Sequence, residues 1–244
     1  MVSNDVEALA PGASCMALLL TAKARVIAPL TVFRRAHDDF LLLTEPDLGD
    51  RVRAELVRFR FAAKCAIELE EHVSTLVLGS ELPTDAIRND DYGVPAYELL
   101  DEEAPPSAEP ATEQELERLR ILARTPRFGR ELDDRVLPAE AGLEERAISF
   151  TKGCYPGQEP VARLHYRGHP NRGLRVLELT GGEVPAYDAD LTLDGKTVGR
   201  VTSAVVDGEH VLALAYVRRE VPDDTVLVCG SRTATQLHSP SPRP

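Results

Sequence analysis

At 244 residues, with 43% hydrophobic and 28% charged content, the chain is long enough for one large or two modest globular units with a real core. Its net charge of −12 argues against a protein that coats nucleic acid nonspecifically, because that needs a basic footprint. The longest apolar run, Cys15 to Leu20, is too short to span a bilayer, and the start lacks a basic-then-apolar secretion signal, so a soluble, cytoplasmic protein without membrane contact is expected.

Residues 1–100 read as an α+β unit. Arg25 to Arg34 and Asp39 to Leu43 have the branched, apolar content of strands. Thr44 then caps a helix with Pro46 in its first turn, and Leu48, Val52, Leu56 and Phe59 follow at helical spacing. Cys65 to Leu69 and Thr75 to Leu78 are further strand-like runs, so a small sheet covered by helices is expected. Residues 101–111 form an acidic, proline-rich linker that cannot build a core.

A second unit, 112–170, opens with the capping-box pair Thr112 and Glu115. Leu116, Leu119 and Leu122 or Ala123 supply the buried stripe of the helix that follows, and Pro126 ends it. From 171 to 236 the character changes to short strands: Arg175 to Leu179, Asp190 to Leu193, Lys196 to Val205, Val211 to Val217 and Thr225 to Val228. Asp194-Gly195 and Asp207-Gly208 between them are tight-hairpin signals, which predicts a small antiparallel barrel or sandwich starting near Arg172. Residues 237–244 are expected to be a disordered tail.

The four cysteines, Cys15, Cys65, Cys154 and Cys229, are widely spaced and match neither a disulfide framework nor a metal-ligand pattern, so no metal is expected. Cys154 differs from the others in its neighbourhood, Lys152-Gly153-Cys154-Tyr155-Pro156-Gly157-Gln158-Glu159. A thiol is chemically useful as thiolate, and a nearby cation such as Lys152 or Arg163 lowers its pKa. Gly153 and Gly157 let backbone approach a ligand, while Gln158 and Glu159 add polar reach. The competing reading of any single cysteine is a buried residue in a turn. Charge also segregates. Glu98 to Glu117 holds eight acids and no Lys or Arg, whereas Lys152 to Leu177 holds five cations against Glu159 alone, which makes the latter the place for an anionic ligand.

Pro138-Ala139-Glu140-Ala141-Gly142-Leu143, then Ile148-Ser149-Phe150-Thr151, the Cys154 motif and Val161-Ala162-Arg163 closely resemble the signature of YgfZ-type proteins, folate-binding relatives of the glycine-cleavage T-protein, an aminomethyltransferase. Asn4-Asp5-Val6, Pro126-Arg127-Phe128-Gly129 and the C-terminal strands extend the likeness over most of the chain. The resemblance implies an α+β, T-protein-like fold: a ferredoxin-like-type N-terminal part, a C-terminal antiparallel β-barrel and a central tetrahydrofolate pocket completed by the Cys154 loop. It also implies support of iron–sulfur enzyme assembly or repair, linked to tRNA modification through such an enzyme. On this basis Cys154 and Lys152 are the candidate catalytic residues, and Glu140, Tyr155, Gln158, Glu159 and Arg163 the candidate folate contacts. For Glu140, pterin recognition and anchoring of its own loop remain equal alternatives.

Departures from the T-protein pattern bear on activity. Ala28-Pro29 stand where T-proteins carry an acid needed for methylene transfer, and Leu122 where they carry a pterin-anchoring glutamate. Neither replacement steers a proton, which disfavours aminomethyl transfer. The several dozen residues that precede Asn4 in the family are expected to be missing. Two rival readings stay open, a one-carbon transferase and a non-catalytic assembly scaffold. His165 and His169 are unlike a metal site because Gly168 and Pro170 oppose a helix there, and the arginines of 163–175 lack the interleaved aromatic rings of an RNA-binding surface beyond Tyr155 and Tyr166.

Overall fold

The computed structural model describes residues 1–60, 64–79, 83 and 86–237. Strands β1 (Ser14–Leu20), β2 (Val26–Ala36) and β3 (Asp39–Leu43) form an antiparallel sheet in that order. The apolar run noted above is β1, and it is buried on both faces. Leu18 and Leu20 enter a core shared with the barrel, while Ala17 and Leu19 enter another under the first helix. A strand covered on both faces reads as a continuous apolar run rather than an alternation, which conceals it in the sequence.

After a 3₁₀ turn at Pro46–Leu48, helix α1 (Gly49–Arg58) lays Val52 and Leu56 on this sheet at the expected spacing. Cys65 to Leu69 is not a strand. Ile67 packs on the α1 core, Leu69 is 53% exposed, and among the described residues no backbone pairs with the segment as a strand. Alternating apolar residues make a strand only where a partner and a half-buried surface exist. Strands β4 (Ser74–Leu78), β5 (Ile87–Arg88) and β6 (Ala96–Leu100) make a second antiparallel sheet in the order β4-β6-β5.

Helix α2 (Glu113–Leu122) starts at the expected capping box. Thr112 Oγ1 accepts from the Glu115 amide at 3.2 Å, and the Glu115 carboxylate accepts from the Thr112 amide at 2.7 Å. Its buried stripe differs from the expected one. Ile121 and Arg120 are buried, whereas Leu116, Leu119 and Leu122 are half-buried. Arg120 goes inside because carboxylates meet it there. Glu117 lies at 2.5 Å and Glu131, whose side chain is fully enclosed, at 3.1 Å. Glu131 also accepts from Ser203 Oγ at 2.7 Å, and its carbonyl accepts from Tyr216 Oη at 2.9 Å, which ties α2 to the barrel.

Irregular chain with one short helix, α3 (Glu144–Ala147), leads through the Cys154 motif into helix α4 (Gln158–Arg167). This helix corrects the expectation that Gly168 and Pro170 exclude one. It includes His165 and stops at Gly168, leaving only His169 beyond. Strands β7 (Arg172–Thr180), β8 (Asp190–Leu193), β9 (Lys196–Asp207), β10 (His210–Arg218), β11 (Leu227–Cys229) and β12 (Arg232–Gln236) then close an antiparallel barrel in the order β10-β7-β12-β11-β8-β9. At its Asp194-Gly195 turn both φ angles are positive, 49° and 74°, as a type I′ hairpin requires. Along β10, Val211, Ala213, Ala215 and Val217 fill the barrel, while Leu212, Leu214 and Tyr216 face the core shared with β1 and α2. The expected tail lies outside the described residues from position 238 onward. No helix among the described residues is long and apolar enough to cross a membrane.

Candidate functional site

The Cys154 motif alternates between anchors and exposed groups. Tyr155 and Gly157 are buried, and Cys154 between Gly153 and Tyr155 is exposed. Gly157 adopts φ 83° and lies against the β1–β2 turn, where a Cβ would stand 2.6 Å from the Thr21 carbonyl oxygen. Pro160 is tolerated because it falls in the first turn of α4, whose amides have no intrahelical partner. The outcome is a cavity of about 440 Å³ whose lining includes Ala22, Cys154, Gln158, Glu159 and Arg163. Four of the sequence-derived candidates thus surround one open space, and Arg163 is its cation. Tyr155 borders the same cavity, but its hydroxyl is buried without a hydrogen-bond partner among the described residues, and burial pushes its pKa up.

Lys152 and Glu140 are placed elsewhere. The Lys152 ammonium donates to the carbonyl oxygens of Val2 and Asn4, both at 2.8 Å, and lies 5.8 Å from the Tyr155 ring. It pins the first residues to the motif, and burial pushes its pKa down. The thiol its field reaches is Cys15 on β1, where burial raises the pKa and Lys152 opposes the rise. Glu140 accepts from the Leu137 amide at 3.2 Å and pairs with Arg172 at 3.2 Å. Those contacts fasten its loop to the first barrel strand and are the anchoring alternative for this residue.

A larger cleft, about 630 Å³, opens between the first sheet, the β5–β6 connection and the end of α2. Met16, Pro29 and Leu30 form an apolar part, Tyr92 adds a ring, and Glu45, Glu98, Arg127 and Arg146 add charge. Several of these groups are already engaged. Arg146 pairs with Asp91 at 2.7 Å, and Glu98 accepts from Ser74 and Asn89. The Glu45 carboxylate has no hydrogen-bond or ion-pair partner among the described residues, and Arg127 reaches Glu117 only at 3.8 Å. Sequence reasoning missed this cleft. Cys15 and Met16 belong to a strand hidden by its continuous hydrophobicity, and of the positions singled out by the family resemblance Pro29, Pro126 and Arg127 line it, without indicating a shared space. No residue of the Cys154 motif lines the cleft, so among the described residues the two spaces are separate.

No family model matches the chain. It is 28% identical over 221 residues to an uncharacterized protein of Haemophilus influenzae, a match covering 85% of this chain and 77% of that protein. It is 37% identical over 111 residues to the tRNA-modifying protein YgfZ of Edwardsiella ictaluri, covering 43% of this chain and 33% of the relative, so the likeness spans a third of that protein's length. Among solved structures, the glycine cleavage system aminomethyltransferase T of Bartonella henselae superposes with a TM-score of 0.80 at 19% identity, over 98% of this chain and 78% of that one. Shape establishes the α+β, T-protein-like fold, and the sequence is similar to YgfZ proteins over 33% to 43% of the chain.

Proposed function

We propose that this chain is a tetrahydrofolate-binding accessory protein that supports assembly or repair of iron–sulfur enzymes, with Cys154 as its reactive group and any effect on tRNA modification arising through a client enzyme. The observation that carries the folate part is the donor set of the larger cleft. A pterin ring presents N–H donors along one edge and two flat faces, and the folate tail ends in carboxylates. Glu45 offers an uncommitted acceptor, Tyr92, Met16 and Leu30 offer ring-sized apolar walls, and Arg127 offers a half-exposed cation. The residues present therefore fit the group. When bound, a reduced folate supplies a one-carbon carrier. The chain's own residues orient it and exclude water from its ring, while Cys154 remains accessible in the neighbouring cavity beside Arg163.

The cleft also bears on the transferase alternative. Pro29 lines it where T-proteins place the acid needed for methylene transfer, and proline neither accepts nor delivers a proton. Binding without aminomethyl transfer is the reading these residues favour.

Calorimetric titration of the full chain with tetrahydrofolate under anaerobic conditions tests the folate part. We expect saturable binding. Glu45→Ala and Arg127→Ala should each weaken it by about tenfold or more, since a hydrogen bond to a charged group contributes ~1.5 kcal/mol or more. Absence of saturable binding sinks the folate reading and leaves the scaffold reading ahead. Cys154→Ala tests the other part by complementation of a strain lacking its own YgfZ. The side chain is exposed in a loop, so truncation should cost about 1 kcal/mol or less. The expected result is a normal melting temperature with support of iron–sulfur enzyme activity lost, and full complementation removes Cys154 from the mechanism.

A further inference from the structure

We propose that the outer face of α4, together with Phe150, is a docking site for a short single-stranded segment of RNA, whose bases stack on an aromatic platform while its phosphates meet two unpaired arginines. Phe150 and His165 stack with ring centroids 3.9 Å apart and planes inclined by 23°. Tyr166 stands edge-on to both, at 6.0 Å from Phe150 and 4.8 Å from His165, and is 68% exposed. Phe150 comes from the loop before the Cys154 motif, so the grouping of three rings is invisible until α4 folds back beside that loop.

The charge around the platform is the second observation. Arg163 and Arg167, three residues before Tyr166 and one after it, are exposed on the same helix. Neither guanidinium makes an ion pair or a hydrogen bond with any described residue, although the chain has 40 acidic residues against 28 basic ones. Elsewhere the arginines of α2, Arg118 and Arg120, are both paired with carboxylates. Nearby acids leave this pair of cations free. The Glu159 carboxylate, one turn before Arg163, makes no ion pair with its guanidinium, and Glu144 faces His165 at 3.8 Å.

Flat rings beside uncommitted guanidinium groups match nucleic-acid chemistry, in which every base has a π-face and every linkage an anion. A protein partner would instead seek an apolar anchor pocket, and the exposed residues of this helix supply none. The net charge of −12 restricts the footprint to the few nucleotides that two arginines can neutralise, and opposes duplex binding, which needs a long basic stripe.

Fluorescence anisotropy of a labelled decaadenylate RNA against the full chain, from about 50 to 200 mM salt, tests this. Tyr166→Ala should weaken binding by about 5- to 150-fold, the value of one base stacked on an aromatic ring, while Tyr166→Phe retains it. Arg163→Ala with Arg167→Ala should reduce the slope of log affinity against log salt by about 1.4, because each phosphate contact on a single strand contributes ~0.7. Melting temperatures measured alongside should be unchanged, because these side chains are exposed. No binding at low salt, or equal binding by wild type and Tyr166→Ala, overturns the proposal. Competition by polyglutamate as effective as that by unlabelled RNA also overturns it, and points to an acidic protein surface instead.

Discussion

Glu131→Ala is expected to reduce the stability of the chain by roughly 3 kcal/mol, the lower part of the range for breaking a buried ion pair by removing one partner. The carboxylate is fully enclosed and accepts from Arg120 Nη1, the Arg127 amide and Ser203 Oγ at 3.1, 3.0 and 2.7 Å. Removing it leaves two buried donors, on Arg120 and Ser203, and the part-buried Arg127 amide short of an acceptor. Arg120 keeps Glu117 and the Thr125 carbonyl, which is why the lower part of the range applies. Urea denaturation measures the loss. Glu131→Gln should cost less, since an amide oxygen still accepts. The double variant Arg120→Leu with Glu131→Leu should recover much of the single-variant loss, because it removes the stranded charge together with its partner. A loss below about 1 kcal/mol for Glu131→Ala would place the pair among weakly contributing ones. The effect should extend to ligand binding as well, since Arg120, Thr125 and Arg127 all line the larger cleft.

How far the sequence discloses this molecule follows from which features are local. The capping box at Thr112 and Glu115, the Asp194-Gly195 turn and the α1 spacing of Val52 and Leu56 are set by residues a few positions apart, and each is present. Strand β12, Arg-Thr-Ala-Thr-Gln, escapes because only Ala234 faces the barrel interior, so no apolar alternation marks it despite two threonines. Strand β1 escapes for the opposite reason, being apolar on both sides. Arg120 reads as a solvated helix residue until two glutamates, one from a distant loop, are seen to meet it. At the site, Cys154, Gln158, Glu159 and Arg163 are legible together because one loop and one helical turn hold them. Lys152 is not, since its partners, Val2 and Asn4, lie at the other end of the chain. Nor is the larger cleft, whose walls come from β1, β2, the β5–β6 connection and the end of α2.

Gly157→Ala should be the most damaging small substitution in the Cys154 motif. Its φ of 83° lies in the left-handed region, which costs a residue with a Cβ about 1–2 kcal/mol. The added methyl would also stand 2.6 Å from the Thr21 carbonyl oxygen and 3.0 Å from Ala24 Cα. Both are backbone atoms of the β1–β2 turn, which is itself held by the Ala24 amide donating to Thr21 O at 2.9 Å and by complete burial of Ala24. Neither side has a flexible group that can swing away, so relief requires the turn or the motif to move. Overpacking of this kind adds roughly 1–3 kcal/mol, for a combined loss of about 2–5 kcal/mol. Gly153→Ala is the control, because a Cβ there meets nothing within 4 Å and its φ is not positive. Two measurements divide the outcomes. Thermal denaturation reports how far the fold is weakened, and the rate of Cys154 alkylation by iodoacetamide reports whether the loop has shifted relative to Ala22 and Arg163. We expect Gly157→Ala to be destabilised and to alkylate at an altered rate, with Gly153→Ala close to wild type in both. Equal stability of the two variants would mean that the turn yields to the motif, and that the close approach at Gly157 does not hold Cys154 in place.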